Sequence, residues 1–293
     1  MSESVRELHP FRGRKYTRFP ESFDLSGRVY LITGGAGLLG VRHAEAILEA
    51  NGIPVLNDIS EERLSEAVRR MRERYGDRRP MDSVAADITD RGQVESMVAR
   101  VLAAFGRIDG LVNNAANNPK MTGDAGNRSS RFEDFPLEQW EADLAVGLRG
   151  AFLCAQACGR EMASRGGGVM VNVSSDLGLI APDQRVYLKA GQTEGDQSFK
   201  PVTYSVVKGG LVLLTRYLAT YWAKHNIRVN TLTPASVYNG QDWELVEQIA
   251  DRVPLGRMSH PDEFKGALIF LLSDASSYMT GQNLVMDGGR TIW

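Results

Sequence analysis

The chain has 293 residues with a formal net charge of −2, 43% hydrophobic and 24% charged, ordinary values for a globular chain able to bury one large α/β core or two small ones. So even a charge balance gives no general pull toward nucleic acid or an anionic membrane. No apolar run is long enough to span a bilayer, and Met1–Pro20 lacks the apolar centre of a signal peptide.

Residues 1–22 read as a polar arm carrying Arg6, Arg12, Arg14 and Arg18 with no strand or helix period. An extended arm over a neighbouring surface or subunit and a disordered tail are both open. From residue 23 to 293 the pattern is regular and predicts one domain. Val29–Ile32 is a short apolar run that ends in the glycine-rich stretch Thr33–Gly40, followed by an amphipathic helix stopped at Asn51-Gly52. A second short strand, Ile53–Leu56, closes on Asn57-Asp58. A charged helix over 61–75, a strand over Ser83–Asp87, a helix over 91–105 and a strand over Ile108–Asn113 come next. A Gly/Asn/Ser-rich loop, 117–131, leads into a long helix over 137–163. Then follow a strand at Val169–Val173, a helix at Tyr204–His225, a strand at Ile227–Leu232, helices over 241–250 and 261–273, and a strand at Asn283–Met286. Strands alternating with helices imply βαβ units. The fold class expected is α/β, a doubly wound Rossmann-type domain with a parallel sheet of about seven strands and helices on both faces.

Three features point to chemistry. The strand–glycine turn–helix at Gly34, Ala36, Gly37, Leu38, Leu39 and Gly40 would set backbone N–H groups and a helix N-terminus against a pyrophosphate. Asp58 follows Gly40 by eighteen residues at the end of the second strand, where a carboxylate can accept hydrogen bonds from ribose hydroxyls. Ile59 and Ser60 after it are not basic, so a 2′-phosphate would meet Asp58 without a compensating cation and NAD is favoured over NADP. Tyr204 and Lys208, four apart on a helix, share one face, and an ammonium favours a phenolate able to act as acid or base near neutrality. A plain helical pair on a solvated face is the common alternative. Two cysteines, Cys154 and Cys158, one helical turn apart, and four scattered histidines give no metal cluster or disulfide framework and suit a reduced, cytoplasmic setting.

Several pieces in order make the chain resemble the short-chain dehydrogenase/reductase family from about Leu25 to Trp293: Thr33–Gly40, Asp87-Ile88, Asn113–Ala116, Asn172–Ser175, Tyr204…Lys208, Ile227–Asn230…Pro234, and Thr280–Gln282…Asp287–Gly289. Gly178–Pro182 and Lys200–Tyr204 further resemble members from flagellin- and surface-glycan-modification clusters. The resemblance implies Tyr204 as general acid/base, Lys208 as the partner that lowers its pKa and reaches the nicotinamide ribose, and Ser175, three residues before Gly178, as the holder of the substrate oxygen. It also implies Asp87 and Ile88 beside the adenine, Asn114 and Ala115 along the adenosine ribose, and Pro234–Val237 along the nicotinamide amide, with Asn239 where a threonine often touches the cofactor. A homo-oligomer, dimer or tetramer, is implied as well, in agreement with the many-faced apolar helix after Tyr204.

Four departures stand out. Leu38 replaces a glycine of the compact branch, and Gly34, Gly37 and Gly40 follow the spacing of the larger epimerase branch. Gly147 stands where an asparagine usually steadies a relay water. Ala235 replaces the glycine after Pro234. The segment 179–203, carrying Asp183, Gln184, Arg185, Tyr187, Lys189 and Lys200, is unusually long and is expected over the active-site mouth. Its cations Arg185 and Lys189, with Asn118 and Lys120, are candidates to bind a phosphate or carboxylate of a sugar-derived substrate; a solvated surface insertion is the alternative. The reading is an NAD-dependent oxidoreductase acting on a secondary alcohol or ketone of a polar small molecule. An epimerase or dehydratase using NAD transiently, or an idle NAD-binding subunit, stand as alternatives.

Overall fold

Seven short strands pair in parallel because every return connection crosses over the sheet through helix or loop. In the computed structural model, which describes residues 18–117, 130–188 and 191–293, the strands are β1 Val29–Thr33, β2 Ile53–Asp58, β3 Asp82–Ala85, β4 Gly110–Asn113, β5 Gly168–Val173, β6 Ile227–Pro234 and β7 Asn283–Met286. They form one sheet in the order β3-β2-β1-β4-β5-β6-β7. The arm's residues 1–17, together with Asn118, Lys120 and Lys189, lie outside the described residues.

The helices are α1 Leu38–Glu49, α2 Glu61–Tyr75, α3 Arg91–Phe105, α4 Leu137–Leu144, α5 Ala151–Ser164, α6 Val202–Trp222, α7 Trp243–Ala250 and α8 Lys265–Leu272. The strand period of two divides the core. Val29 and Leu31 face the layer of α3, α5 and α6 through Val98, Cys154 and Trp222. Tyr30 and Ile32 face α1, α2 and α8 through Ile47, Met71 and Leu268. The fold is a single Rossmann-like α/β domain, as expected.

One expected element is divided. The long helix over 137–163 contains a π-helical turn at Ala145–Gly150 between α4 and α5, the wider winding that often marks functional positions. Gly147 in this turn is buried, and a Cβ there would lie 2.2 Å from Val207 Cγ1 on α6. The missing side chain lets the two helices touch. All strands run one way, so the carboxyl ends of β1, β2, β4, β5 and β6 open on one edge, with the topological reversal between β1 and β4.

Candidate active site

At the end of β1 the chain turns through Gly34 at φ +61, a backbone angle that L side chains seldom adopt. Gly35 N donates to Asn57 O at 2.7 Å and Gly37 N to Gly34 O at 3.0 Å. A Cβ on Gly40 would stand 2.1 Å from Gly34 O, so the turn closes only on bare backbone. Helix α1 then begins at Leu38 with no capping side chain, leaving N-terminal N–H groups and the positive end of the helix dipole for an anion.

Asp58 ends β2 almost fully buried, 6% exposed. Its Oδ1 accepts from Ser60 N at 3.2 Å and from the Arg63 guanidinium at 2.5 Å. The expectation of no cation beside Asp58 is therefore corrected. Ser60 caps α2, and the first helical turn carries Arg63 back to the carboxylate, which a reading of the next two residues alone misses. Ile59 is exposed.

The other residues expected near the cofactor hold the same edge together. The Asn114 amide donates to the carbonyls of Thr33 and Gly34, both at 3.0 Å, and Asn114 N and Ala115 N donate to Thr33 Oγ1. Asn114 thus fixes the glycine turn to β4. Asp87 accepts from Thr89 N at 2.8 Å in a tight Asx turn, and Ile88 is buried against Gly150. Past Pro234, Ala235 N pairs with Met286 O and Val237 bridges Ser259. Asn239 is exposed in a turn where its N–H donates to Gln241 Oε1 at 2.6 Å.

Ser175, Tyr204 and Lys208 meet where β5 ends against the start of α6. Ser174 Oγ donates to Lys208 O at 2.7 Å, so Ser174 fastens the helix while Ser175 is left for the site. Ser175 Oγ donates to Asp176 Oδ1 at 2.8 Å. Lys208, buried, donates from Nζ to Val173 O at 2.7 Å. The register of α6 is held by a buried polar chain that the sequence did not reveal as such. Asn113 Nδ2 donates to Asn172 Oδ1 at 2.9 Å, Asn172 Nδ2 to Thr215 Oγ1 at 2.8 Å, and Thr231 Oγ1 to Thr215 Oγ1 at 2.8 Å. Asp143 of α4 adds a second anchor, accepting from Asn117, Gln139 and Thr203 at the helix start.

The electrostatics reverse one expectation. Burial holds the Tyr204 phenol above its ordinary pKa, with the Ser175 hydroxyl lowering it and the Asp176 carboxylate raising it further. Lys208 Nζ lies 5.8 Å from the ring centroid, engaged with a carbonyl. Burial lowers Lys208 itself to about 8, helped by repulsion from Lys200.

The segment 179–203 folds against this edge. Asp183 caps a 3-10 turn at Gln184–Tyr187 and accepts from Arg185 and from Arg252 Nε, the latter at 2.7 Å. Arg185, a candidate substrate cation, is 84% exposed along its side chain and paired to Asp183. Lys200 of this segment gathers around Tyr204 and Ser175 with two residues that the motifs did not single out, Asp176 and Arg290. Lys200 Nζ sits 4.0 Å from the Tyr204 ring centroid. The Asp176 carboxylate faces Ser175. Arg290 Nε approaches Asp176 Oδ2 at 3.1 Å with its N–H not directed at the oxygen. Among the described residues no His/Cys/Asp/Glu group is placed to hold a metal, and no helix is long and apolar enough to cross a membrane.

With this geometry in hand, the comparisons with known proteins agree on one relationship. A family profile described as Enoyl-(Acyl carrier protein) reductase matches residues 36–291. The chain is 33% identical over 279 residues to an NAD-dependent glycerol dehydrogenase of Listeria innocua, covering 94% of this chain and 98% of that one. It is 33% identical over 275 residues to a D-threitol dehydrogenase of Mycolicibacterium smegmatis, covering 92% and 95%. A crystal structure of a gluconate 5-dehydrogenase from Burkholderia cenocepacia, in complex with NADP and tartrate, superposes with a TM-score of 0.79 at 30% identity, over 92% of this chain and 98% of that one.

Proposed function

The chain belongs to the short-chain dehydrogenase/reductase family, and from that premise we propose that it oxidises a secondary alcohol of a polyol or related sugar-derived substrate with NAD, Tyr204 serving as general acid/base. The observation that carries this is the meeting of Ser175, Tyr204 and Lys208 on the same sheet edge as the glycine turn and Asp58. Relatives named for glycerol and D-threitol support a polyhydroxylated substrate. The narrower likeness to surface-glycan members, carried by Gly178–Pro182 and Lys200–Tyr204, supports a sugar-derived one.

The residues present fit a dinucleotide. The bare backbone of Gly34 and Gly40 and the uncapped start of α1 suit a pyrophosphate, and Asp58 suits ribose hydroxyls. When bound, NAD supplies the hydride acceptor. Asp58 favours NAD because its carboxylate repels a 2′-phosphate. Arg63 softens that repulsion from a side chain 57% exposed, and solvent screens it more than the buried carboxylate. Ser175 Oγ orients the substrate oxygen, Tyr204 Oη takes its proton as the carbonyl forms, and Lys208 steadies the phenolate. Lys208 Nζ, anchored on Val173 O, would also be the donor to a ribose hydroxyl of the bound dinucleotide.

The test is NADH formation across a panel of polyols and sugar acids. Tyr204→Phe is expected to lower kcat at least ~1000-fold with NAD affinity retained, the scale of losing a general acid/base. Undiminished turnover by that variant, or turnover without net NADH, would remove the reading; the latter outcome would favour the epimerase or dehydratase alternative. Leu213, Tyr217 and Tyr221 on α6 and Phe152 on α5 are exposed apolar side chains, which supports a helix-mediated homo-oligomer. Light scattering after size exclusion checks this, and a monomer at working concentration would refute it. Cys154 and Cys158 are free and buried, in keeping with a reducing cytoplasmic compartment.

A further inference from the structure

We propose that Lys200 is a positioning residue for Tyr204: its ammonium, held over the face of the phenol ring, stabilises the phenolate and so sets the pH at which the substrate proton is accepted. This rests on the reading of Tyr204 as the acid/base and deepens it.

The geometry is built for that purpose. Lys200 Nζ stands 4.0 Å from the ring centroid, against 5.8 Å for Lys208, well inside the range of a cation–π contact. Lys200 is 9% exposed, so water screens the contact weakly. Its backbone is clamped by one side-chain amide: Gln184 Oε1 accepts from Lys200 N at 2.8 Å, and Gln184 Nε2 donates to Lys200 O at 3.3 Å. Gln197 Nε2 in turn donates to Gln184 O at 2.6 Å. Pro201 is the N-cap residue before α6, which fixes the step from Lys200 to Tyr204.

The groups facing the phenol divide by sign. Ser175 favours the phenolate and Asp176, with Arg290 beside it, opposes it; the two lysines enter by position, their ammonium groups lying over the ring. Tyr187 lies near, a neutral phenol whose pKa burial pushes up to about 12. Asp143 acts at one remove through Thr203. Across from α6, Gly147 offers no side chain and meets Val207, not the phenol. Burial lowers Lys200 to about 8, with Asp176 raising it. Below that pH both lysines are ammonium, the form whose charge can act on the ring.

The experiment compares the parent, Lys200→Met and Lys200→Arg in two readouts: the pH profile of kcat/KM for polyol oxidation, and the ultraviolet titration of Tyr204 taken as the difference from a matching Tyr204→Phe background. Lys200→Met is expected to move the acid limb and the phenol titration upward together by about one pH unit, and Lys200→Arg to restore most of the shift. A lower kcat at every pH with an unmoved profile and an unmoved phenol titration would show a merely structural lysine and overturn the proposal. So would failure of arginine to restore a shift. If no polyol yields NADH, the functional reading fails by itself, and the phenol titration still decides the role of Lys200.

Discussion

Placing a methyl group at Gly147 tests the contact on which the catalytic helix rests. An ideal Cβ there would lie 2.2 Å from Val207 Cγ1, 3.1 Å from Cγ2 and 3.2 Å from Cβ, where carbon pairs prefer about 3.5–4.0 Å. Val207 has little room to yield. It is buried beside Ala151 and Leu211, and a β-branched residue in a helix keeps one χ1 well. Gly147→Ala must therefore push α6 away from the π turn, at an overpacking cost of about 2 kcal/mol, or roughly 3 °C in Tm for a chain of this size. Tyr204 lies one helical turn before Val207, so the displacement reaches the phenol, and a shift near 1 Å is worth up to about 100-fold in kcat. Val207→Ala alone leaves a small cavity costing about 1–2 kcal/mol. In the double variant the new methyl fills that cavity, so the two changes should couple favourably by about 1–2 kcal/mol. Urea unfolding and steady-state kinetics on the four proteins complete the cycle. A Gly147→Ala variant within about 0.5 kcal/mol of the parent, or strict additivity in the double, would refute the argument.

Two further expectations follow from buried charge. His43 on α1 is fully buried, neither ring nitrogen has a hydrogen-bond partner among the described residues, and burial pushes its pKa down to about 4. Below about pH 6.5 the unfolded chain takes up a proton that the folded one refuses, so stability is lost as pH falls toward 4, by about 3 kcal/mol from this group. Denaturant midpoints of the parent and His43→Leu across that window check it, and parallel curves would exclude it. At the cofactor edge, Asp58→Ala should weaken NAD binding about 10–100-fold, while Arg63→Ala should weaken NADP binding and leave NAD within about threefold. Fluorescence titrations measure both, and a parent that binds NADP more tightly than NAD would reverse the reading.

Much of the scaffold is legible because its signals are local. Helices α2 and α3 fall at 61–75 and 91–105 as expected, since Ser60 and Asp90 cap them and Gly106 turns into the left-handed region. Ser175 was separable from Ser174 by its distance to Gly178, and the structure gives the physical reason: Ser174 is held by the Lys208 carbonyl. What escaped depends on contacts between distant stretches or on backbone winding. Arg63 returns to Asp58 only because a helix turn intervenes. Arg290 reaches Asp176 from the far end of the chain. The π turn has no simple residue code, though Gly147 marked its place. Lys200 was visible as one cation among several in 179–203, but Pro201 interrupts the helical phase that would have aimed it at Tyr204. The raised phenol pKa needed the burial itself.

Arg252 touches three separate stretches of chain at once. Its guanidinium holds Asp183, its carbonyl accepts from Trp293 Nε1 at 3.3 Å, and its N–H is bonded back to Ile249 O at the end of α7. Arg252 thus joins the covering of the mouth to α7 and to the C-terminal stretch, so these parts are expected to come loose together. Passage of substrate and product would then be governed by one barrier rather than by several independent loops. Amide exchange in Gln184–Tyr187, in α7 and in Arg290–Ile292 should accelerate in concert in Arg252→Ala, and acceleration confined to one of them would show that no such common gate exists.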